Sequence, residues 1–271
     1  MSFFCCPVCK KDFENNGNTL RCKNGHSYDI SKSGYVNLLL SNQMNTLSPG
    51  DNKLMISSRR DFLNKGYYSK LAEKLCETVK KYAFEKISIL DAGCGEGYYT
   101  EKVCNSIKDF NPSVLGIDIS KFAAEAAAKR KCGVDFAVAS IFHMPASDSS
   151  FDMMITLFAP FCEEEFHRIL KPHGIMIMVI PDERHLFEFK QKIYDNPYLN
   201  QVGDYSLESF EFIETIKVSD TITIDNNKDI MNLFSMTPYY YKTGIEGSER
   251  VSQMNDLETE IAFQILVYKS C

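Results

Sequence analysis

The chain has 271 residues, 44% hydrophobic and 24% charged, close to the globular norm, which excludes a disordered or fibrous protein. No apolar stretch approaches the roughly 18 residues of a membrane span, and the N-terminus MSFFCCPVCKKDF lacks the features of a secretion signal, so a cytoplasmic protein is expected. The net charge of −6 argues against a nonspecific nucleic-acid binder. That total hides a partition, because residues 1–70 carry ten Lys and Arg against five acids, a balance of +5, and the rest of the chain is −11.

In chain order, residues 4–30 predict two short hairpins, CCPVCKKDF and LRCKNGHSYDI around the turn-rich ENNGNT. This stretch is too short to bury a core of its own and needs a staple. A polar connector, SNQMNTLSPGDN, leads to a helix around LMISSRRDFLNKG and to an amphipathic helix over 68–84, with Leu71, Leu75, Val79 and Tyr82 at helical spacing. Beyond Lys86, apolar runs at 87–93, 114–120, 134–140, 151–158 and 174–181 alternate with helical segments at 97–108, 121–131, 161–171 and 183–194. Such alternation predicts a parallel sheet covered on both faces. FEFIETIKVSDTITI and ETEIAFQILVYK, with helical DIMNLFSM between, complete a seven-stranded doubly wound α/β domain with an antiparallel pair at the sheet edge.

Ten cysteines are an even number, which invites a disulfide framework, but four of them fall in the first 22 residues. Without a secretion signal, clustered cysteines read better as metal ligands. Cys6-x2-Cys9, then twelve residues, then Cys22-x3-His26 supplies three thiolates and an imidazole, the tetrahedral set that suits zinc. Pro7 and Asn24-Gly25 give each pair a tight turn. The set is complete, so the zinc is read as structural. Cys5 competes for a ligand position but would leave three residues before Cys9; unrelated thiols or a redox pair are the other readings.

The segment Ile89-Leu90-Asp91-Ala92-Gly93-Cys94-Gly95-Glu96-Gly97 places glycines where a strand must turn sharply and approach a ligand. The pattern is GxGxG, with Tyr98 where a dinucleotide fingerprint has its third glycine, and Asp91 stands two positions before Gly93. These departures favour S-adenosylmethionine, whose amino group is cationic and which has no pyrophosphate. Asp118 closes the next strand, where it can accept both ribose hydroxyls. A structural turn and NAD binding are the alternatives. Ser140 ends the third strand, where methyltransferases usually contact adenine. Phe158, at the end of the fourth, could stack on a flat acceptor, although a Phe at a strand end is more often core. His173 reads as an exposed turn residue. Asp182, Glu183 and His185 follow the fifth strand, but none is an unambiguous proton acceptor, and the catalytic residue stays unassigned.

The segments CPVC...CKNGHSYDISKSGYVNLLL, SPGDNKLMISSRRDFLNKGYY, LDAGCGEGYYT and RHLFEFK together resemble the zinc-containing 23S rRNA (guanine-N1)-methyltransferases of the RlmA/RrmA type, over about residues 4–195. The glycine loop is shared with many class I methyltransferases; the zinc module joined to GYVNLL and the RRxFL connector is more specific. The resemblance implies methylation of N1 of a guanine in a hairpin loop of domain II of 23S rRNA, near the macrolide site. It also implies cofactor contacts by Tyr68, Gly95, Glu96 and His185, zinc on Cys6, Cys9, Cys22 and His26, and a homodimer. One subgroup of that family contributes to macrolide resistance. The expected division is a zinc-binding module at 1–35, a linker and helices capping the cofactor site at 36–85, and a methyltransferase domain at 86–271. The basic first quarter, notably Lys10, Lys11, Arg21, Lys23, Arg59 and Arg60, is the expected RNA handle. Rival readings are a small-molecule methyltransferase carrying a zinc ribbon and a non-catalytic RNA-binding protein.

Overall fold

A computed structural model describes residues 4–15, 17–44, 46, 48–203 and 205–271. Asn16 in the expected hairpin turn and positions 45 and 47 of the polar connector lie outside the described residues. The N-terminal segment forms a three-stranded antiparallel meander, β1 (Phe13–Asn15), β2 (Thr19–Cys22) and β3 (Ser27–Asp29), as the two predicted hairpins require. A short strand β4 (Tyr35–Asn37) follows, then α1 (Lys53–Asn64) and α2 (Ser69–Tyr82). The alternating region gives β5 (Ser88–Ala92), α3 (Tyr98–Ser106), β6 (Ser113–Asp118), α4 (Lys121–Ala128), β7 (Asp135–Val138), β8 (Phe151–Leu157), α5 (Glu163–Ile169), β9 (Leu170–Pro181) and α6 (Phe187–Ile193). The chain ends with β10 (Phe210–Ile224), α7 (Asn227–Met236), α8 (Tyr239–Lys242), α9 (Ile245–Gln253) and β11 (Leu257–Ser270).

The seven expected strands, β5 to β11, are all in one sheet, and β4 adds an eighth: the order is β10-β11-β9-β8-β5-β6-β7-β4. Pairings from β4 to β9 are parallel, and β11 runs antiparallel to both β9 and β10. β4 was not read as a strand from its sequence; its three residues are held by pairing with β7, and the Leu38 amide extends the contact by donating to the Val138 carbonyl at 2.9 Å. The expected module boundary at residue 35 therefore falls where the chain enters the main sheet. Strand order reverses between β6 and β8 on either side of β5, so the crevice at the carboxyl ends of β5 and β8 is a topological switch point, the place where open α/β sheets bind ligands.

Alternation along the strands separates two cores. Ile89, Ile155, Ile177 and Val179 face α2, α3, α6 and α7 through Leu71, Leu75, Val103, Phe189 and Leu233. Leu90, Leu115, Ile117, Met154 and Met176 face the other way, and there Phe4, Leu20, Val36 and Leu38 share their core with Phe166 and Ile169 of α5. The N-terminal ribbon thus covers a sheet face rather than hanging from it. Backbone pairing reinforces this, with the Cys5 amide donating to the Pro145 carbonyl at 2.8 Å and Phe4 bridging Ala146. No helix among the described residues is long and apolar enough to cross a membrane.

Because the ribbon and the domain share one core, Leu20→Ala is expected to cost about 2–5 kcal/mol and to lower a single calorimetric unfolding transition. A separate early transition for the ribbon, with the main one unchanged, would contradict the shared core.

Candidate functional site

Cys6, Cys9, Cys22 and His26 present ligand atoms that all lie within 4.8 Å of one another. The Nδ1 of His26 is 3.5 Å from the Cys6 sulfur and 3.4 Å from the Cys22 sulfur, and the Cys9 and Cys22 sulfurs are 3.6 Å apart. With Zn–S near 2.3 Å and Zn–N near 2.0 Å, a tetrahedron has edges of about 3.5–3.8 Å, so the donors fit zinc in kind and spacing. Each knuckle is closed by its backbone: the Lys10 amide donates to the Cys6 carbonyl at 2.8 Å, and the Gly25 amide to the Cys22 carbonyl at 2.9 Å. Lys10 and Gly25 take the positive φ these turns need. Cys5 turns away from the cluster and pairs through its backbone with Pro145 and Asp12.

The glycine loop leaves β5 at the switch point. Gly93 has φ +86°, and a Cβ there would lie 2.5 Å from the Cβ of Ala159; Gly97 has φ +83°, and a Cβ would meet Ala127 at 2.9 Å. Any side chain at either position would strain the backbone and collide with a neighbouring element, the end of β8 at Gly93 and α4 at Gly97. Gly95 faces more open space, with an Arg59 nitrogen, among the described residues, 3.8 Å from where a Cβ would stand. Asp118, at the end of β6, ties this loop down: one carboxylate oxygen accepts from the Gly95 amide at 3.0 Å, the other from the Ser120 amide at 2.8 Å. A carboxylate retains capacity for further donors, as a ribose diol would supply.

Three acids converge on this loop, Asp91 and Glu96 buried and Asp118 half-buried. Asp91 accepts from the Thr100 hydroxyl at 2.5 Å through one oxygen, and its other oxygen has no partner. Burial, opposed by that bond and aided by the negative charge of Asp118, raises its pKa to about 7. Glu96 is paired with Arg130 at 2.5 Å, the side chains 1% and 7% exposed, and it too has one orphaned oxygen. Burial pushes the Glu96 carboxyl up against the pull of Arg130, and burial does the same to Asp118 against its two amide donors. Orphaned buried oxygens beside a crevice suit a ligand that brings N–H donors and positive charge, as the amino group of S-adenosylmethionine does.

A cluster of rings lies on the other side of the crevice. Phe263 of β11, fully buried, packs against Tyr68 at 5.1 Å, His185 at 4.5 Å and Phe158 at 5.6 Å between ring centroids. Tyr68 is buried, and burial drives its hydroxyl far above the usual phenol range. The Ala262 amide donates to Nδ1 of His185 at 3.3 Å, which places the ring proton on Nε2. Burial, with the nearby Lys190, lowers the His185 pKa to about 3. His185 is therefore a neutral hydrogen-bond donor and is unsuited to accept a proton at neutral pH. Asp182 is also committed: burial alone would raise its pKa, but bonds from Gln264 at 2.7 Å and the Glu183 amide at 2.8 Å outweigh this and hold it below the usual carboxylate range. Ser140, buried just beyond β7, accepts from the Phe142 amide at 3.2 Å. His173 is exposed, as expected, but lies inside β9 rather than in a turn before it, with its backbone in the left-handed region at φ 65°.

Arg59 does not behave as a free RNA contact. It pairs with Asp51, donates to the Met236 carbonyl at 3.1 Å, and lies over Gly95. Asp51 in turn accepts the Ser120 hydroxyl through its carbonyl at 2.6 Å. The connector before α1 thus closes over the glycine loop through charge and hydrogen bonds. The charge partition places Arg59 among the basic residues of the first quarter but carries no sign of Asp51 as its partner, and nothing in AFQIL distinguishes Phe263 from any other core residue.

Two outcomes are expected from this geometry. Protein purified without chelator holds about one zinc per chain, and stripping it with a strong chelator lowers the melting temperature of the whole molecule; a metal-free protein of undiminished stability would contradict a structural ion. Asp91→Asn stabilises the ligand-free fold. The raised folded pKa means that the ionised carboxylate costs stability progressively as pH rises from the unfolded value, near 4, to about 7, and levels off above. Melting curves should show the gain of the variant growing over that interval; a gain confined to acid would reverse the sign.

The methyltransferase-domain family model matches residues 83–237, and the model described as "RlmA, N-terminal", a zinc ribbon, matches residues 4–45. A Bacillus subtilis (strain 168) protein named "Putative 23S rRNA (guanine-N(1)-)-methyltransferase YxjB" is 28% identical over 98% of this chain and 96% of its own length. The Streptomyces fradiae "23S rRNA (guanine(748)-N(1))-methyltransferase" is 33% identical over 68% of this chain and 65% of its own. Among solved structures, Escherichia coli YjhP superposes with a TM-score of 0.51 at 14% identity, over 81% of this chain and all of that one, a likeness of fold. The chain belongs to the methyltransferase-domain family, an enzyme with the class I fold and with the N-terminal zinc ribbon of the RlmA type.

Proposed function

We propose that this protein transfers the methyl group of S-adenosylmethionine to N1 of a guanine in a hairpin loop of domain II of 23S rRNA, near the macrolide site, and that it acts in the cytoplasm as a homodimer. The observation that carries the reading is the zinc ribbon sharing a core with the methyltransferase sheet, in a chain matched along nearly its whole length by a relative named for guanine-N1 methylation of 23S rRNA. We assign residues 1–35 to the zinc module, 36–85 to the capping connector and helices, and 86–271 to the catalytic domain. A contribution to macrolide resistance would follow only for the subgroup that modifies the relevant guanine.

When bound, S-adenosylmethionine supplies an activated methyl group, so the residues mostly position reactants. Gly93, Gly95 and Gly97 would admit the donor to the crevice, with Asp91 and Glu96 facing its positive end, Asp118 its ribose and Ser140 its adenine. Tyr68 and His185 would wall the opposite side, His185 offering its Nε2 proton as a donor. The proton on guanine N1 has to leave, and since His185 is neutral and committed through Nδ1, solvent or the RNA itself would take it. The target base must be unpaired or extruded, which a hairpin loop makes less costly. Phosphate neutralisation falls to the basic N-terminal quarter, where Lys11, Arg21 and Lys23 are exposed on the ribbon and Lys10 reaches the Met144 carbonyl at 3.3 Å.

Tritium transfer from labelled cofactor tests the reading: label should enter 23S rRNA and a domain II fragment, and no small metabolites. Label in a metabolite alone would favour a small-molecule enzyme. Neutralising Lys10, Lys11 and Lys23 together should weaken rRNA binding and flatten its salt dependence by up to about three charges with cofactor affinity unchanged; unaltered RNA binding would remove the ribbon from the interface.

A further inference from the structure

We infer that Phe158 is the face on which the acceptor purine stacks, an inference that rests on the reading of function just given. Phe158 stands at the carboxyl end of β8, on one side of the switch point, with the glycine loop at the end of β5 on the other. The two strand ends meet at the residue after Phe158, since the Ala159 side chain occupies the space that a Cβ on Gly93 would fill.

Three observations set this ring apart from a core residue. It is 46% exposed, whereas Ile155 and Leu157 before it on the strand are buried. Its backbone is in the left-handed region at φ 55°, a conformation unfavourable for a bulky side chain, and it is held there by its amide donating to the Val179 carbonyl at 3.1 Å. Strain of this kind persists where the surroundings over-determine it, and it clusters at functional sites. Finally, the ring rests on Phe263 at 5.6 Å and 48°, and Phe263 is itself wedged against Tyr68 and His185, so the exposed ring is backed by a rigid aromatic layer.

A large aromatic forced outward at the mouth of a cofactor crevice, braced from behind and open in front, suits a flat heteroaromatic partner. An extruded guanine meets that description, and stacking on a ring is a sequence-tolerant way to hold a base taken from its helix. Leucine at this position would keep the apolar bulk and lose the π-face; tyrosine or tryptophan would keep both.

The test compares Phe158→Ala, Phe158→Leu and Phe158→Tyr with the parent enzyme on the domain II fragment, with cofactor affinity by calorimetry as the measure of an intact crevice. The alanine and leucine variants should lose about 5- to 150-fold in kcat/KM for RNA, the range that a lost base–aromatic stack produces. The tyrosine variant should stay near the parent, and all four proteins should bind the cofactor alike. If alanine stays within twofold of the parent, or leucine serves as well as tyrosine, the stacking role is overturned while the rRNA reading stands. If the parent itself transfers no methyl group to the RNA, the reading of function fails and takes the stacking role with it.

Discussion

The site is organised around three carboxylates brought together where β5 and β6 end, Asp91 and Glu96 buried and Asp118 half-buried. Asp91, Glu96 and Asp118 would repel one another and resist leaving water; each is tolerated because a fixed partner answers it. Thr100 bonds Asp91, Arg130 pairs with Glu96, and the Gly95 and Ser120 amides hold Asp118. Those partners come from α3, the turn after α4 and the loops after β5 and β6, so the charges pin the surrounding elements together. The remaining imbalance is visible in the orphaned oxygens of Asp91 and Glu96 and in the upward pKa shifts of all three acids. A cationic ligand with N–H donors would relieve that imbalance, which gives the crevice its preference before any contact is made. The Arg59–Asp51 pair lays a further positive group over the loop.

A second constraint acts at the other end of the chain. A ribbon of about thirty residues cannot bury a core alone. Here it is held twice, by a donor set spaced for zinc and by Phe4 and Leu20 entering the core under the main sheet. β4 then fastens the chain to β7 immediately after the ribbon. Basic groups on the ribbon are therefore carried by a rigid extension of the catalytic domain.

Much of this was legible in the sequence because the signals were local. The Cys and His spacing, the glycine pattern with Asp91 before it and Asp118 after it, and the alternation of apolar runs with helices each depend on neighbours within a few residues. Features that depend on distant partners were not legible. Tyr35–Asn37 is too short to read as a strand and owes its state to β7, a hundred residues away. Arg59 looked like an RNA contact because its pairing with Asp51 and the Met236 carbonyl exists only in the folded chain. Phe158 read as core by its place at a strand end, and only its left-handed backbone and open ring mark it as exposed.

The account stands or falls on the base that is modified. Primer extension along 23S rRNA, comparing cells that carry the gene with cells that lack it, reads this directly, since a methyl group on guanine N1 blocks Watson–Crick pairing and halts reverse transcriptase. A stop at one guanine in a domain II hairpin loop, present with the gene and absent without it, is the predicted result; identical extension patterns across the whole of 23S rRNA would contradict it.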